Sequence, residues 1–217
     1  MTSKIFELIS KVFIKKEENN MSDIIVVLDG GHGIDTPGKR SPKWPDGTQL
    51  FEYEFNRNIV RRISEQLSKE KIKNYILVPE ENDVPLKERV LRANKIYKEN
   101  NKKCFLISIH ANAGGGQGWE VFTSIGKTKA DDIATIIWEE MKVEFPLQRM
   151  RIDTTDGDID KEDNLYILRN TNCPAVLTEN FFMDTKSDCD LIMSEFGRNK
   201  IANAHVRAIK RIIKELY

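Results

Sequence analysis

Two histidines and two glutamates lie far apart in this chain, yet their surroundings are alike. His32 follows Ile24-Ile25-Val26-Val27-Leu28-Asp29-Gly30-Gly31, His110 ends the run that opens at Cys104, and Glu179 closes Ala175-Val176-Leu177-Thr178. Runs of this β-branched composition predict strands buried on both faces. In open α/β sheets, residues at the carboxyl ends of such strands stand where ligands bind. Glu52 is delivered differently. Phe55, Ile59, Ile63 and Leu67, with Val60 beside them, mark a helix over 52–70, and their stripe extends back one turn onto Glu52. The helix dipole explains an acidic first turn. It does not explain a carboxylate on the apolar face. Glu54 points elsewhere and is expected in solvent.

Two imidazoles and one carboxylate are the protein's share of a catalytic zinc site, whose fourth position is left for water. Neutral imidazole and ionised carboxylate are also the forms these side chains take near pH 7. A second carboxylate, off the metal, is what amide hydrolysis still needs to carry a proton from water to the departing nitrogen. His32, Glu52, His110 and Glu179 therefore suit zinc-assisted amide hydrolysis, with Glu179 in the off-metal role. Nucleophile and phosphate-loop alternatives lack their motifs: there is no Gly-x-Ser-x-Gly elbow, and Gly30-Gly31-His32-Gly33 lacks a Gly-Lys-Ser/Thr ending.

The elements that must position these groups follow in order. The segment 34–49 is a long loop with three prolines, in which Trp44 either faces a ligand or packs to pin the loop down. Strands are expected at 74–78, 104–109, 118–123, 165–169 and 175–178. Helices are expected from Pro85 (Leu86, Val90, Ala93, Tyr97), from Ala130 to Met141 with Trp138 in the core stripe, and over 188–196 and 198–216, where His205 shares a face with Ile201, Ala208 and Ile212. The acidic stretch 153–163 alternates Asp156, Asp158 and Asp160 as a calcium loop does. Its glycine is misplaced and Ile167 stands where the bidentate Glu belongs, so it is read as a surface loop. Strand–helix alternation predicts an α/β sandwich: a mostly parallel sheet covered on both sides.

Composition narrows the partners. The 34 basic and 34 acidic residues balance, so nothing favours nucleic acid or an anionic membrane, and no apolar run is long enough to span a bilayer. Three cysteines without Cys-x-x-Cys spacing argue against a disulfide framework and against thiolate-held zinc; Cys104 is expected as a core residue. Residues 1–20 carry helically spaced Ile5, Leu8, Ile9, Val12 and Phe13, interrupted by Glu7 and Lys11. They are expected as an amphipathic or mobile extension with no export-signal pattern. Residues 21–217 are expected to form one domain carrying the four candidate residues, and Met21 is a candidate alternative start.

Five ordered motifs carry a family resemblance: Asp29-Gly30-Gly31-His32-Gly33; Leu50-Phe51-Glu52-Tyr53-Glu54-Phe55-Asn56; Leu86-Lys87-Glu88-Arg89-Val90 through Ala93-Asn94; Ser108-Ile109-His110-Ala111-Asn112; and Pro174-Ala175-Val176-Leu177-Thr178-Glu179-Asn180-Phe181-Phe182. Over roughly 24–217 the chain resembles the zinc-dependent N-acetylmuramoyl-L-alanine amidases of the third amidase family. The resemblance implies a three-layer α/β/α sandwich around a twisted mixed sheet, and one zinc ion held by His32, Glu52 and His110. It also implies Glu179 as the catalytic residue, and cleavage of the amide joining the muramic acid lactyl group to L-alanine in peptidoglycan at the bacterial cell wall. The loop before Glu52 is longer and more basic than the family pattern, with Lys39, Arg40 and Lys43 in it; it is read as a solvated loop, with contact to peptide carboxylates or anionic wall polymer as the alternative. Asn180 and Phe182 also depart from it, so the floor of the substrate site is expected to differ. No long helix of the kind that blocks regulated division amidases is visible, and an open site is expected. A zinc peptidase or deacylase acting on another amide, and a non-catalytic wall-binding module, are the competing readings.

Overall fold

The computed structural model describes residues 23–217. The extension expected over 1–20, and Met21, lie outside them. In chain order the elements are β1 (Ile25–Gly30), α1 (Glu52–Lys69), β2 (Asn74–Ile76), α2 (Leu86–Glu99), β3 (Cys104–Asn112), β4 (Trp119–Thr123), α3 (Lys129–Glu144), β5 (Lys161–Glu162), α4 (Tyr166–Asn170), β6 (Ala175–Phe182), α5 (Lys186–Met193) and α6 (Glu195–Leu216).

The β-branched runs pair into one six-stranded sheet in the order β2-β1-β3-β6-β4-β5. β2, β1, β3 and β6 are parallel, and β4 joins β6 antiparallel. The sheet is mixed and mostly parallel. Helices cover both faces, which is why the central strands are apolar on both sides. One face packs against α1, α3 and α6 through Phe55, Ile59, Ile63, Ile137 and Ile209. The other packs against α2 and α4 through Val90, Ala93, Ile167 and Leu168. The α1 stripe (Phe55, Ile59, Ile63, Leu67) is fully buried, and each such side chain contributes about 1.5–3 kcal/mol relative to an exposed position.

The chain leaves β1 through α1 to reach β2 on one side, then returns through α2 to β3 on the other. This reversal opens a crevice at the carboxyl ends of β1 and β3. Both β3 and β6 run further than the expected 104–109 and 175–178, so His110 and Glu179 lie within strands and are directly paired in register. A bulge follows at once, between His110 and Asn112, and Phe181 opposite it adopts φ 67°.

One expectation is overturned. The segment 165–169 is not a strand; Tyr166–Asn170 forms the single-turn helix α4. A five-residue apolar run cannot distinguish the two by periodicity. Here Ile167 and Leu168 are adjacent and both buried, which a half-exposed strand would not allow. The stretch expected as a surface loop also contributes the edge strand β5, and Asp160 within it is buried and accepts a hydrogen bond from Thr123 Oγ1 (2.6 Å). The last two helices meet at Ser194, which caps α6 by accepting from the Gly197 N–H (2.9 Å). The three cysteines are buried and free. Trp44 packs against the core and donates to Cys189 Sγ (3.3 Å), so its role is to pin the loop. Glu54 is half-exposed, but it is clasped by both Arg198 amino groups at 2.8 Å.

His205 is a core residue, as its helical spacing suggests. Its Nδ1 lies 2.9 Å from the Ile201 carbonyl and its Nε2 3.3 Å from Thr178 Oγ1. Thr178 Oγ1 in turn accepts from Asn180 Nδ2 (3.0 Å), which also donates to the His110 carbonyl (3.0 Å). Burial pushes the His205 imidazole down to about 4. The fold therefore holds it neutral, while the unfolded chain protonates it below about 6.5. Its stabilising contribution is complete above pH 6.5 and is lost as pH falls from there toward 4. We expect the urea midpoint of the wild type to fall more steeply between pH 7.5 and pH 5 than that of His205→Gln. Equal slopes would show that this imidazole titrates as in the unfolded chain.

Candidate metal centre

His32, His110 and Glu179 are brought to one rim of the sheet by the adjacent strands β1, β3 and β6; Glu52 enters at the first turn of α1. The backbone N–H of Glu52 donates to the Lys39 carbonyl (3.0 Å), which ties that turn to the preceding loop. The apolar stripe below it then carries the carboxylate inward until Glu52 is only 1% exposed.

His32, Glu52 and His110 each offer one ligand atom, and the three atoms lie within 4.8 Å of one another. Glu52 Oε1 is 3.1 Å from His110 Nδ1 and 3.4 Å from His32 Nε2, and the Ala111 N–H donates to it at 3.3 Å. The two imidazoles stand edge to face, with centroids 4.9 Å apart at 89°. Three observations suit a divalent metal. The donor set is two imidazole nitrogens and one carboxylate. Glu52 Oε2 is buried without a hydrogen-bond partner among the described residues. Gly31 leaves the space the His110 ring fills, for a Cβ there would lie 2.0 Å from His110 Cε1.

The electrostatics follow from burial and proximity. Burial alone would raise the Glu52 carboxyl, but His110 and His32 hold it well below the usual carboxylate range. Burial lowers His32 despite Glu52. At His110 burial is outweighed, and Glu52, with Glu179 and Asp29, raises it. Glu179 is pushed up to about 7 by burial, with His110 opposing and Glu52 reinforcing, and its Oε2 has no partner among the described residues.

The positioning groups behind His32 were not singled out by the motif spacing. His32 has φ 59°, a left-handed conformation uncommon for a residue with a side chain. Two guanidinium groups hold it there. Arg57 donates to the carbonyls of Gly30 and His32 (2.7 Å for the latter), and Arg89 donates to Gly30 (2.7 Å) and His32 (3.3 Å). Arg89 is itself buried and paired with Asp29 (2.7 Å), whose other oxygen accepts from Ser108 Oγ (2.6 Å). A signal was present: Arg89, like Glu52, sits on the apolar face of its helix, beside Leu86, Val90 and Ala93.

Of the departures noted in the sequence, Asn180 does not line the site. It is fully buried and accepts from Trp119 Nε1 (2.9 Å). Phe182 is buried over Gly116. Lys39 does reach the site, its Nζ 3.9 Å from Glu52 Oε2. No helix among the described residues is long and apolar enough to cross a membrane.

Comparison with known proteins agrees with this architecture. The profile of the Amidase_3 family, described as N-acetylmuramoyl-L-alanine amidase, matches residues 26–211. The chain is 29% identical over 192 residues to the endolysin of Bacillus phage SPP1, covering 87% of this chain and 66% of that one. It is 28% identical over 190 residues to the sporulation-specific N-acetylmuramoyl-L-alanine amidase of Bacillus subtilis (strain 168), covering 86% and 67%. It thus spans about two thirds of the length of these relatives. In fold it is similar to the crystal structure of N-acetylmuramoyl-L-alanine amidase from Clostridium difficile 630, with a TM-score of 0.76, 23% identity, and coverage of 89% of this chain and 98% of that one. With the family profile running from β1 into α6, the chain belongs to the Amidase_3 family of N-acetylmuramoyl-L-alanine amidases.

Proposed function

We propose that this chain is a zinc-dependent peptidoglycan amidase acting at the bacterial cell wall, with one zinc ion held by His32, Glu52 and His110 and with Glu179 as its catalytic residue. The observation that carries this reading is the convergence of two imidazoles on one buried carboxylate, with a second, unpartnered carboxylate on the neighbouring strand. The chemistry a bound zinc supplies is Lewis acidity, which acidifies water and polarises the amide carbonyl.

The chain's own groups do the rest. Two of these groups are positioned by the chain itself: the Ala111 N–H donates to the Glu52 carboxylate, and both arginines donate to the backbone carbonyl of His32. Glu179 accepts the proton of the attacking water at its free oxygen. It then returns that proton to the amide nitrogen as the C–N bond breaks. A group that must both take and give a proton works best with a pKa near the operating pH, and burial shifts the Glu179 carboxyl in that direction. The products are a lactyl carboxylate on the sugar and a stem peptide with a free L-alanine amine.

Digestion of purified peptidoglycan with and without a chelator, with products identified by mass, tests this reading. The expected products are intact lactyl groups and stems beginning with L-alanine, formed only without chelator. Cleavage inside the stem would make the protein a peptidase, loss of acetyl groups a deacetylase, and binding without products a wall-binding module.

A further inference from the structure

The rim that holds the four residues is chemically different on its two sides. On the α2/α4 face a cavity of about 350 Å³ opens beside His32 and His110. Its walls are Val84, Leu86, Leu165, Tyr166, Ile167 and Leu177, and its size is within the range of small-molecule sites. Its lining residues offer no unpaired guanidinium or ammonium; the exposed Arg169 stands over the Tyr166 ring, 5.5 Å from its centroid. Arg89 is fully engaged by Asp29, Asp83 and backbone carbonyls. Besides the His32 and His110 rings and the half-buried Tyr166 side chain, the cavity's accessible polar lining is the partly exposed Asp83 carboxylate, which can only accept hydrogen bonds at neutral pH.

On the α1 face the loop 34–49 brings cations to the same rim. Lys39 is half-exposed, and its ammonium is 3.9 Å from Glu52 Oε2, too far for a hydrogen bond. Arg40 follows it, exposed and without an ion-pair partner among the described residues. Phe51, Tyr53 and Asp35 stand beside these two residues in a small groove, where the two cations outnumber the one carboxylate.

We infer that the substrate crosses this rim in one direction, with its sugar in the apolar cavity between α2 and α4 and its stem-peptide carboxylates against Lys39 and Arg40. The inference rests on the amidase reading above. That substrate has a scissile amide with an uncharged sugar on one side and an anionic peptide on the other. Sugar rings present C–H faces to apolar and aromatic walls and hydroxyl donors to an acceptor such as Asp83. Carboxylates would be repelled by Asp83 and attracted by an ammonium that has no hydrogen bond to give up. The reverse orientation places the anion in a cavity whose lining guanidinium, Arg89, is already paired with Asp29 and Asp83, and the neutral ring beside two cations. Lys39 is accordingly a specificity residue for the stem.

The test uses the full zinc-loaded chain and two muropeptides that differ only in whether the stem carboxylates are free or amidated. For Lys39→Gln, KM on the free stem is expected to rise about tenfold, the loss of one charge-assisted hydrogen bond, with a several-fold smaller rise on the amidated stem and recovery in Lys39→Arg. Leu86→Asp, which puts a charge at the mouth of the cavity, is expected to raise KM on muramoyl peptide more than on lactoyl peptide lacking the ring. Equal effects on the paired substrates, or the two variants exchanging their patterns, would overturn the orientation. Absence of wild-type turnover on every substrate would remove the amidase reading and this orientation with it.

Discussion

Glu179→Gln is expected to lower kcat on a muropeptide by about 10²–10⁴-fold while fold and zinc content stay those of the wild type. Gln has the same shape and keeps an oxygen, so the neighbouring strand contacts survive. It cannot accept the water's proton or deliver it to the leaving nitrogen. Glu179 lies outside the three-residue cluster that can hold a metal, so its loss leaves that cluster intact. KM should change little, because a proton-transfer group acts in the transition state and not on bound substrate. Stability should not fall, since burial already disfavours the ionised carboxyl. Elemental analysis, thermal unfolding and steady-state kinetics on one preparation check all three. Near wild-type turnover would remove Glu179 from the mechanism.

His110→Ala is expected to take both zinc and turnover to background. The side chain is one of the three proposed ligands and the nearer of the two imidazoles to Glu52 (3.1 Å). Removing groups that merely orient ligands costs 10–100-fold in metal affinity, so losing a ligand should cost more than about 100-fold. The variant separates ligand from structural roles because β3 pairs through its backbone with β1 and β6. The sheet should therefore persist in circular dichroism while metal is lost. One tightly held equivalent of zinc in this variant would reject the ligand assignment.

How far the sequence alone reaches can be judged residue by residue. β1 and β3 were legible because each is a continuous apolar run of a length no surface element tolerates. Glu52 was legible because an acidic residue on an apolar stripe conflicts with its surroundings, and such local conflicts mark sites. His32, Glu52 and His110 meet in space as the spacing suggested, and Glu179 is the register partner of His110. Short elements were not legible. α4 and β5 are five and two residues long, and their form is decided by what they pack against. Asp160 looked like surface because its acidic neighbours do; its burial against Thr123 comes from β4, nearly forty residues earlier. Nor could motif order reveal the double-arginine grip on the His32 backbone, since carbonyl oxygens carry no mark in a sequence.

The central claim is that one divalent ion sits among His32, Glu52 and His110. Anomalous diffraction at the zinc edge, from crystals of the metal-loaded protein, tests it directly. The expected result is a single strong peak within bonding distance of both imidazoles and the Glu52 carboxylate, at about 2.0–2.2 Å. A peak elsewhere in the molecule, or none beside these three side chains at full zinc loading, would mean that the cluster is a structural hydrogen-bond network and that the hydrolysis proposed for it is wrong.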